Sequence, residues 1–420
     1  MTMRLGVIAD DFTGATDIAG FLVANGLRTV QLNDVPAADL QVEADAVVIS
    51  LKTRSCPVAE AVAQSLDALR WLQARDCPQF FFKYCSTFDS TPRGNIGPVT
   101  DALLDALGED FTVICPVLPV NGRTIYHGYL FVNGIPLAES GMRHHPVTPM
   151  TDSNLMRLMD AQARGRTGNV PHTVLDQGPG ATRAALETLR RDGFRYAVLD
   201  ALNDAHLVVM GEAVAGMRLV TGGSGLADGM ARAWSDTGAA ATAAEAGRPR
   251  GARAIVLSGS CSQMTNAQVA AYRDAAPAVF VEAERALADA EGYAAELADW
   301  VLAQAPDGPA PLVYATVGPE QLREIQQRLG GEAASAAVER VFGGLARRLE
   351  AAGFDRFIVA GGETSGTVTQ SLGIRGFHIG PQIAPGVPWV RAVEKPLSLA
   401  LKSGNFGQER FFFDAQNPAG

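Results

Sequence analysis

Cysteine is scarce in this chain: five in 420 residues, at Cys56, Cys77, Cys85, Cys115 and Cys261. The number is odd, the positions are scattered and no CxxC pair occurs, so neither a disulfide framework nor a zinc site is indicated. A reducing, cytoplasmic setting is the expectation. Basic residues are outnumbered as well, 35 Lys and Arg against 45 Asp and Glu, for a net charge of −10. No basic tail or dense Lys/Arg cluster offsets this, which argues against a general nucleic-acid binder. A small anionic ligand needs only a few local cations and stays allowed. No apolar run approaches the ~18 residues that would suggest a membrane span. The chain enters an apolar run almost at once, without the charged region and hydrophobic core of a signal peptide.

Several familiar motifs are missing too. There is no G-x-x-x-x-G-K-[ST], so an ATP site here would not be a P-loop. Gly222-Gly-Ser-Gly225 does not make a G-x-S-x-G nucleophile elbow. Thr221 to Gly229 looks like a dinucleotide loop, but about 20 residues later the chain is Ala-rich rather than at a strand ending in an acid. His144 and His145 lie in a Pro-flanked loop without helical i, i+4 pairing, so a surface or lid role outranks metal ligation, and His127 is similar.

What is present is an ordinary globular composition, 47% hydrophobic and 19% charged, in a chain long enough for two or three domains. Short apolar runs alternate with amphipathic stretches. Strands are expected at Leu5–Ala9, Ala46–Leu51, Phe80–Lys83, Thr112–Cys115 and Tyr196–Leu199. Between them Val62, Leu66 and Leu69, and then Ile96, Val99 and Leu103, keep helical spacing. From Pro116 to Gly180 the chain is rich in Gly, Pro, His and Asn, and only Asn154–Ala163 looks helical; its aromatics suggest an ordered insertion. Residues 238–253 are low in complexity and lack large apolar side chains, which reads as a linker. Beyond it, strands are expected at Ala254–Leu257, Val279–Glu282, Leu312–Ala315, Phe357–Ala360 and Gly376–Ile379. The expected architecture is α/β with two domains, 1–237 and 254–420, each a mostly parallel sheet flanked by helices.

Four loops could carry chemistry. The first follows Leu5–Ala9 and holds Asp10, Asp11, Thr13, Gly14 and Asp17. Ligands of open α/β sheets bind beyond the carboxyl ends of strands, so these acids are either a metal or polyol site or helix caps. The second, Lys83 to Asn95, offers Lys83, Asp89, Arg93 and several hydroxyls, and Arg54 sits similarly after the second strand candidate. Cations and hydroxyls at one sheet edge suit a carboxylate-bearing polyol. The third, Ile358 to Gly366, is a strand running into a Gly-Gly turn and a helix. Free amides at such a helix N-terminus favour anions such as nucleotide phosphates, and Ser258 to Ser262 repeats the strand-then-small-residue design. The fourth, Leu401 to Gly407, carries Lys402, Asn405 and two glycines that could close over phosphates, or form a plain terminal turn.

These loops together resemble the four-carbon acid sugar kinase family. The matching segments are Ile8-Ala-Asp-Asp-Phe-Thr-Gly-Ala15, Ser86 with Asp89-Ser-Thr-Pro-Arg-Gly-Asn95, Leu257-Ser-Gly-Ser260, Gly361-Gly-Glu-Thr364 and Lys402-Ser-Gly-Asn-Phe-Gly407. The Leu-Asn-Asp run at 32–34 and Leu51-Lys-Thr-Arg-Ser55 are most like its 3-oxo-tetronate kinase branch. The resemblance implies ATP-dependent phosphorylation of the terminal hydroxyl of a C4 sugar acid. It implies an acid-sugar-binding N-terminal domain and a nucleotide-binding C-terminal domain, with Mg²⁺ on the nucleotide and no dedicated metal ligands in the protein. Asp11 is then the expected base. Asp10, Arg54, Lys83, Arg93 and Asn95 are expected on the sugar acid, its carboxylate pairing with Arg54, Arg93 or Lys83. Ser258, Ala360, Gly361, Gly362, Glu363, Ser403 and Gly404 are expected on ATP. Partners are thus a sugar acid and ATP, with no nucleic acid and no membrane, and self-association stays open. D-threonate or D-erythronate kinase, a nicotinamide-dependent acid-sugar dehydrogenase and a non-catalytic sugar-acid sensor are the competing readings.

Overall fold

The structure is a computed structural model and describes residues 3–145, 148–234, 239–306 and 308–417. The chain divides into two compact units, Met1–Ala243 and Ala244–Gly420.

The first unit is built on β1 (Leu5–Ala9), β2 (Thr29–Asn33), β3 (Ala46–Ser50), β4 (Phe80–Lys83) and β5 (Thr112–Cys115). Then come β6 (Arg123–Tyr126), β7 (Tyr129–Val132), β8 (Ile135–Pro136), β9 (Thr167–Val170), β10 (Tyr196–Leu199) and β11 (Leu219–Gly222). Eight of these form one sheet in the order β2-β3-β1-β4-β11-β5-β10-β9, and every neighbouring pair is parallel. All five residues of β1, and likewise β3, are buried. That is why they read as continuous apolar runs: a parallel strand is covered on both faces. Gly6 is required by this packing, since a Cβ there would lie 2.8 Å from Leu72 Cδ1 on the helix Val58–Gln73.

The expected insertion is ordered where described. Strands β6, β7 and β8 make a small antiparallel sheet. Helix is shorter than expected at Leu155–Asp160 but recurs at His172–Leu175. Between them β9, Thr-Gly-Asn-Val, joins the main sheet; its Gly168 and Asn169 break the apolar run that would have marked a strand.

The second unit holds β12 (Ala254–Ser258), β13 (Ala278–Phe280), β14 (Leu312–Tyr314), β15 (Arg356–Ala360), β16 (Gly376–Ala384), β17 (Val387–Ala392) and β18 (Ser398–Lys402). Their order is β13-β14-β12-β15-β18-β17-β16. The first five pair in parallel, while β17 is antiparallel to both β18 and β16. The core is aromatic, with Trp389, Tyr272, Phe411 and Phe412 packed together.

The stretch 238–253 is not uniformly a linker. Position 238 lies outside the described residues, and Ala239–Glu245 is a helix with Ala243 buried. Alanine has the strongest intrinsic helix propensity, so a segment without large side chains still folds when one face finds a surface.

Candidate active site

In the first unit β1 lies between β3 and β4, with Ala9 in register with both Ser50 and Lys83. The residues that follow these three strands therefore emerge side by side. The backbone stitches them: Asp10 N donates to Lys83 O at 3.0 Å, and Thr53 N and Arg54 N donate to Asp10 O at 3.0 and 3.2 Å.

The side chains form one ion cluster. Arg54 grips Asp10 with both prongs of its fork, Nε to Oδ2 at 2.9 Å and Nη2 to Oδ1 at 2.8 Å. The same Nη2 donates to Asp11 Oδ1 at 2.7 Å, and Nη1 lies 3.8 Å from Asp89 Oδ2. Burial works against the Arg54 charge, but Asp10 and Asp11 outweigh it and hold the guanidinium's pKa above its usual value. Asp10 is pushed the other way. Burial raises its carboxyl above the ordinary range, although Arg54 opposes the rise.

Asp11 is also the N-cap of the helix Phe12–Ala24, where its Oδ1 accepts from Gly14 N at 3.0 Å. Capping uses one oxygen of Asp11, and its side chain is 28% exposed against 7% for Asp10. Gly14 leaves room for this, because a Cβ there would lie 2.3 Å from Asp11 Oδ1 and 3.0 Å from Lys83 Nζ.

The other expected residues divide. Lys83 is buried within reach of the cluster, its Nζ donating to Tyr84 O at 2.7 Å. Asn95 uses its amide to hold the Arg54 loop, donating to Thr53 O at 2.7 Å and Cys56 O at 2.9 Å. Arg93 is exposed, and among the described residues its side chain joins no member of the cluster. Asp89 is the partner the sequence underrated. It and Phe88 both have positive φ, 55° and 64°, a strained pairing for non-glycine residues that turns the carboxylate toward Arg54. Thr148 Oγ1 donates to the other Asp89 oxygen at 3.0 Å.

The second unit repeats the placement with different chemistry. Ala360 is in register with both Ser258 and Lys402, so three strand ends meet again. Gly259 N and Ser260 N donate to Ala360 O at 3.0 and 3.1 Å, and Gly361 N donates to Lys402 O at 2.9 Å. Gly361 has φ 130° and no side chain caps the helix Gly362–Ser371 behind it. Its first amides are open to an anion. Gly259 lets the loops close up, since a Cβ there would lie 2.1 Å from Thr364 Oγ1. Thr364 in turn donates to Glu339 at 2.8 Å. Glu363 is exposed, whereas the Ser258 hydroxyl is buried, 2.7 Å from Thr316 Oγ1.

Lys402 differs from the expectation that it closes over phosphates. It is 1% exposed, and its Nζ points back into its own loop, 2.9 Å from Thr265 Oγ1, 2.8 Å from Gly404 O and 3.3 Å from Ser403 O. Burial lowers its pKa from 10.5 to about 7. An unfolded chain keeps this lysine protonated up to its ordinary pKa, so folding releases a proton between those values. Stability is therefore expected to rise as the pH is raised from about 7 toward 10, with the gain absent below 7. Urea unfolding across that range should show the rise in the wild type and a flatter line for Lys402→Met; equal slopes would count against it.

Other signals resolve as packing. Gly222, Gly223 and Gly225 lie against Cys115 O, Pro116 O and Val117 O, where a Cβ would come within 2.4, 2.7 and 2.4 Å. These glycines serve close backbone contact rather than a dinucleotide. Among the described residues no group of three or more His, Cys, Asp or Glu is placed to hold a metal, and no helix is long and apolar enough to cross a membrane.

Comparison with known proteins gives the chain a family. A sugar-binding N-terminal domain family matches residues 5–230, and a nucleotide-binding C-terminal domain family matches 255–412. The chain is 70% identical to a 3-oxo-tetronate kinase of Brucella melitensis, over 99% of this chain and 96% of that one. It is 61% identical to the 3-oxo-tetronate kinase of Escherichia coli, over 91% and 99% of the two chains. A solved structure from Salmonella typhimurium superposes with TM-score 0.94 at 62% identity, covering 98% of each chain. One from Haemophilus influenzae gives 0.90 at 56%, covering 98% of this chain and 99% of that one. The chain belongs to the four-carbon acid sugar kinase family, among the relatives named 3-oxo-tetronate kinase.

Proposed function

We propose that this protein transfers the terminal phosphoryl group of ATP to the 4-hydroxyl of 3-oxo-tetronate, with residues 1–237 holding the sugar acid and 254–420 the nucleotide. The observation that carries the reading is near-full-length identity of 57–70% to relatives with that one activity.

Phosphoryl transfer asks mainly for positioning and charge stabilisation. Asp10 is committed to Arg54 through both oxygens, so it orients rather than reacts. Asp11 keeps one oxygen uncommitted to the cap and Arg54 contacts and is the more exposed of the two, which suits it to accept the proton of the attacking hydroxyl. Asp10, Asp11 and Asp89 outnumber Arg54 and Lys83, so the cluster repels a further carboxylate. The substrate carboxylate is better served by exposed Arg93, leaving the hydroxyls to the aspartates and Lys83. On the nucleotide side, the amides after Gly361 receive phosphate oxygens, with Ser258, Ala360, Gly362, Ser403 and Gly404 lining the same strand ends. Mg²⁺ is usually held by one or two carboxylates together with substrate phosphates, and the turn after Gly361 offers the exposed carboxylate of Glu363. Glu363 at the turn would hold it through water, and the ion would supply charge neutralisation on the phosphate oxygens.

A panel of C4 acids assayed in parallel for ATP consumption and NAD reduction tests the reading. ATP consumption is expected with 3-oxo-tetronate, at least about tenfold above D-threonate and D-erythronate in kcat/KM. Preference for either of those acids would make the protein a different kinase of the family, and NAD reduction without ATP use would replace the reading.

A further inference from the structure

We propose that Lys402 is a positioning residue for nucleotide binding: it locks three loops into one anion-receiving surface without touching the nucleotide. The inference rests on the nucleotide reading of those loops and adds to them a residue whose side chain faces away from the ligand.

The geometry is unusual for a lysine. Its ammonium is buried, and among the described residues no carboxylate pairs with it; the only acceptors in reach are the Ser403 and Gly404 carbonyls and the Thr265 hydroxyl. Burying a charge without a counter-ion is costly, and a methionine would fill similar space more cheaply. The return on that cost lies in what the residue joins. Through Nζ it fixes the Ser403–Gly404 backbone, whose Gly404 carbonyl also accepts from Thr265 Oγ1 at 2.7 Å. Thr265 sits on the first turn of the helix Gln263–Arg273, capped by Ser262. Through its own carbonyl, Lys402 receives Gly361 N and so sets the start of the phosphate turn. The fit leaves no slack: a Cβ on Gly404 would lie 2.7 Å from Ser260 Oγ and 3.0 Å from Ser262 Oγ. One residue thus ties the three loops together: its side chain joins the 403–404 loop to the helix that follows 258–262, and its carbonyl holds the start of 361–364. The ring of Phe411, centred 6.0 Å from Nζ, closes the pocket from the side.

The test compares wild type, Lys402→Met and Thr265→Val by steady-state kinetics and by calorimetric titration with ADP. Lys402→Met is expected to raise the ATP KM and the ADP Kd by about tenfold or more, with the sugar-acid KM and saturating kcat changed by less than about threefold. Thr265→Val, which removes one of the three acceptors, should shift the same quantities in the same direction by a smaller factor. A folded Lys402→Met with wild-type ADP affinity overturns the proposal. So does a collapse of kcat at unchanged ATP KM, which would place the ammonium on the transferring group. Should Lys402→Met not fold, Thr265→Val decides: unchanged ADP affinity there overturns the proposal. If the wild type transfers no phosphoryl group but ADP binding still weakens in the variants, the kinase reading falls while the positioning role stands.

Discussion

Arg54→Met is expected to abolish sugar-acid phosphorylation and to lower folding stability by about 3–5 kcal/mol, the usual consequence of removing one partner from a buried ion cluster. The size follows from what the guanidinium leaves behind. Asp10 and Asp89 are 7% and 8% exposed at their side chains, and both face Arg54, as does Asp11. Without the arginine, carboxylates that repel one another are held at one strand edge away from water. Lysine should not rescue the site, since a point charge cannot replace a two-pronged grip on Asp10 together with a bond to Asp11. Adding Asp10→Asn to Arg54→Met should recover part of the stability and none of the activity. Urea unfolding with parallel kinetics reads both effects. A loss below about 1 kcal/mol, the range of an exposed surface pair, would mean that the cluster is far wetter than its burial indicates.

Asp11→Asn should have the opposite profile, a large loss of rate in an intact fold. Asparagine caps helices as well as aspartate does and keeps an oxygen for Gly14 N and Arg54. What it lacks is the ability to take a proton. Saturating turnover is expected to fall by about 10²–10⁴-fold, the contribution typical of a positioned general base, while the sugar-acid KM moves little. Near-normal turnover would remove Asp11 from proton transfer; normal turnover with a raised KM would make it a binding residue.

The contrast between these neighbouring carboxylates shows where sequence reading stops. That Asp10 and Asp11 end a buried strand is legible, because Leu5–Ala9 is an apolar run stopped by charge. Phe80–Lys83, Thr112–Cys115 and Tyr196–Leu199 are legible to the residue for the same reason. Strand β2 is not. Its Gln31 is fully buried, and its Oε1 accepts from Thr16 Oγ1 at 2.9 Å while its Nε2 has no partner among the described residues, an arrangement no local pattern announces. Nor does the Pro- and Arg-bearing run of β17 look like an interior strand. At the site, residue type and strand-end position emerge from sequence because both are local. The allocation of hydrogen bonds does not. Arg54 reads as a hand for the substrate carboxylate, and its sequence does not announce the three aspartates around it; Asn95 reads as a ligand, and its sequence does not announce that its amide clasps a loop. In both cases the partner is brought from another strand end of the same sheet, by a register that depends on the whole sheet. The inward turn of Lys402 is hidden similarly, since a Lys-Ser-Gly-Asn stretch looks the same whether its ammonium faces ligand or backbone.

The Gly222, Gly223 and Gly225 contacts carry a lesson for protein engineering. This segment has the look of a cofactor fingerprint, and it would tempt anyone seeking to graft a redox function onto the scaffold. Its missing side chains are already spoken for by the carbonyls of residues 115–117. Opening the turn for a pyrophosphate would require moving the end of β5 and the chain that follows it, so the route to a dehydrogenase from here runs through rebuilding the sheet edge, not through adding an acid downstream.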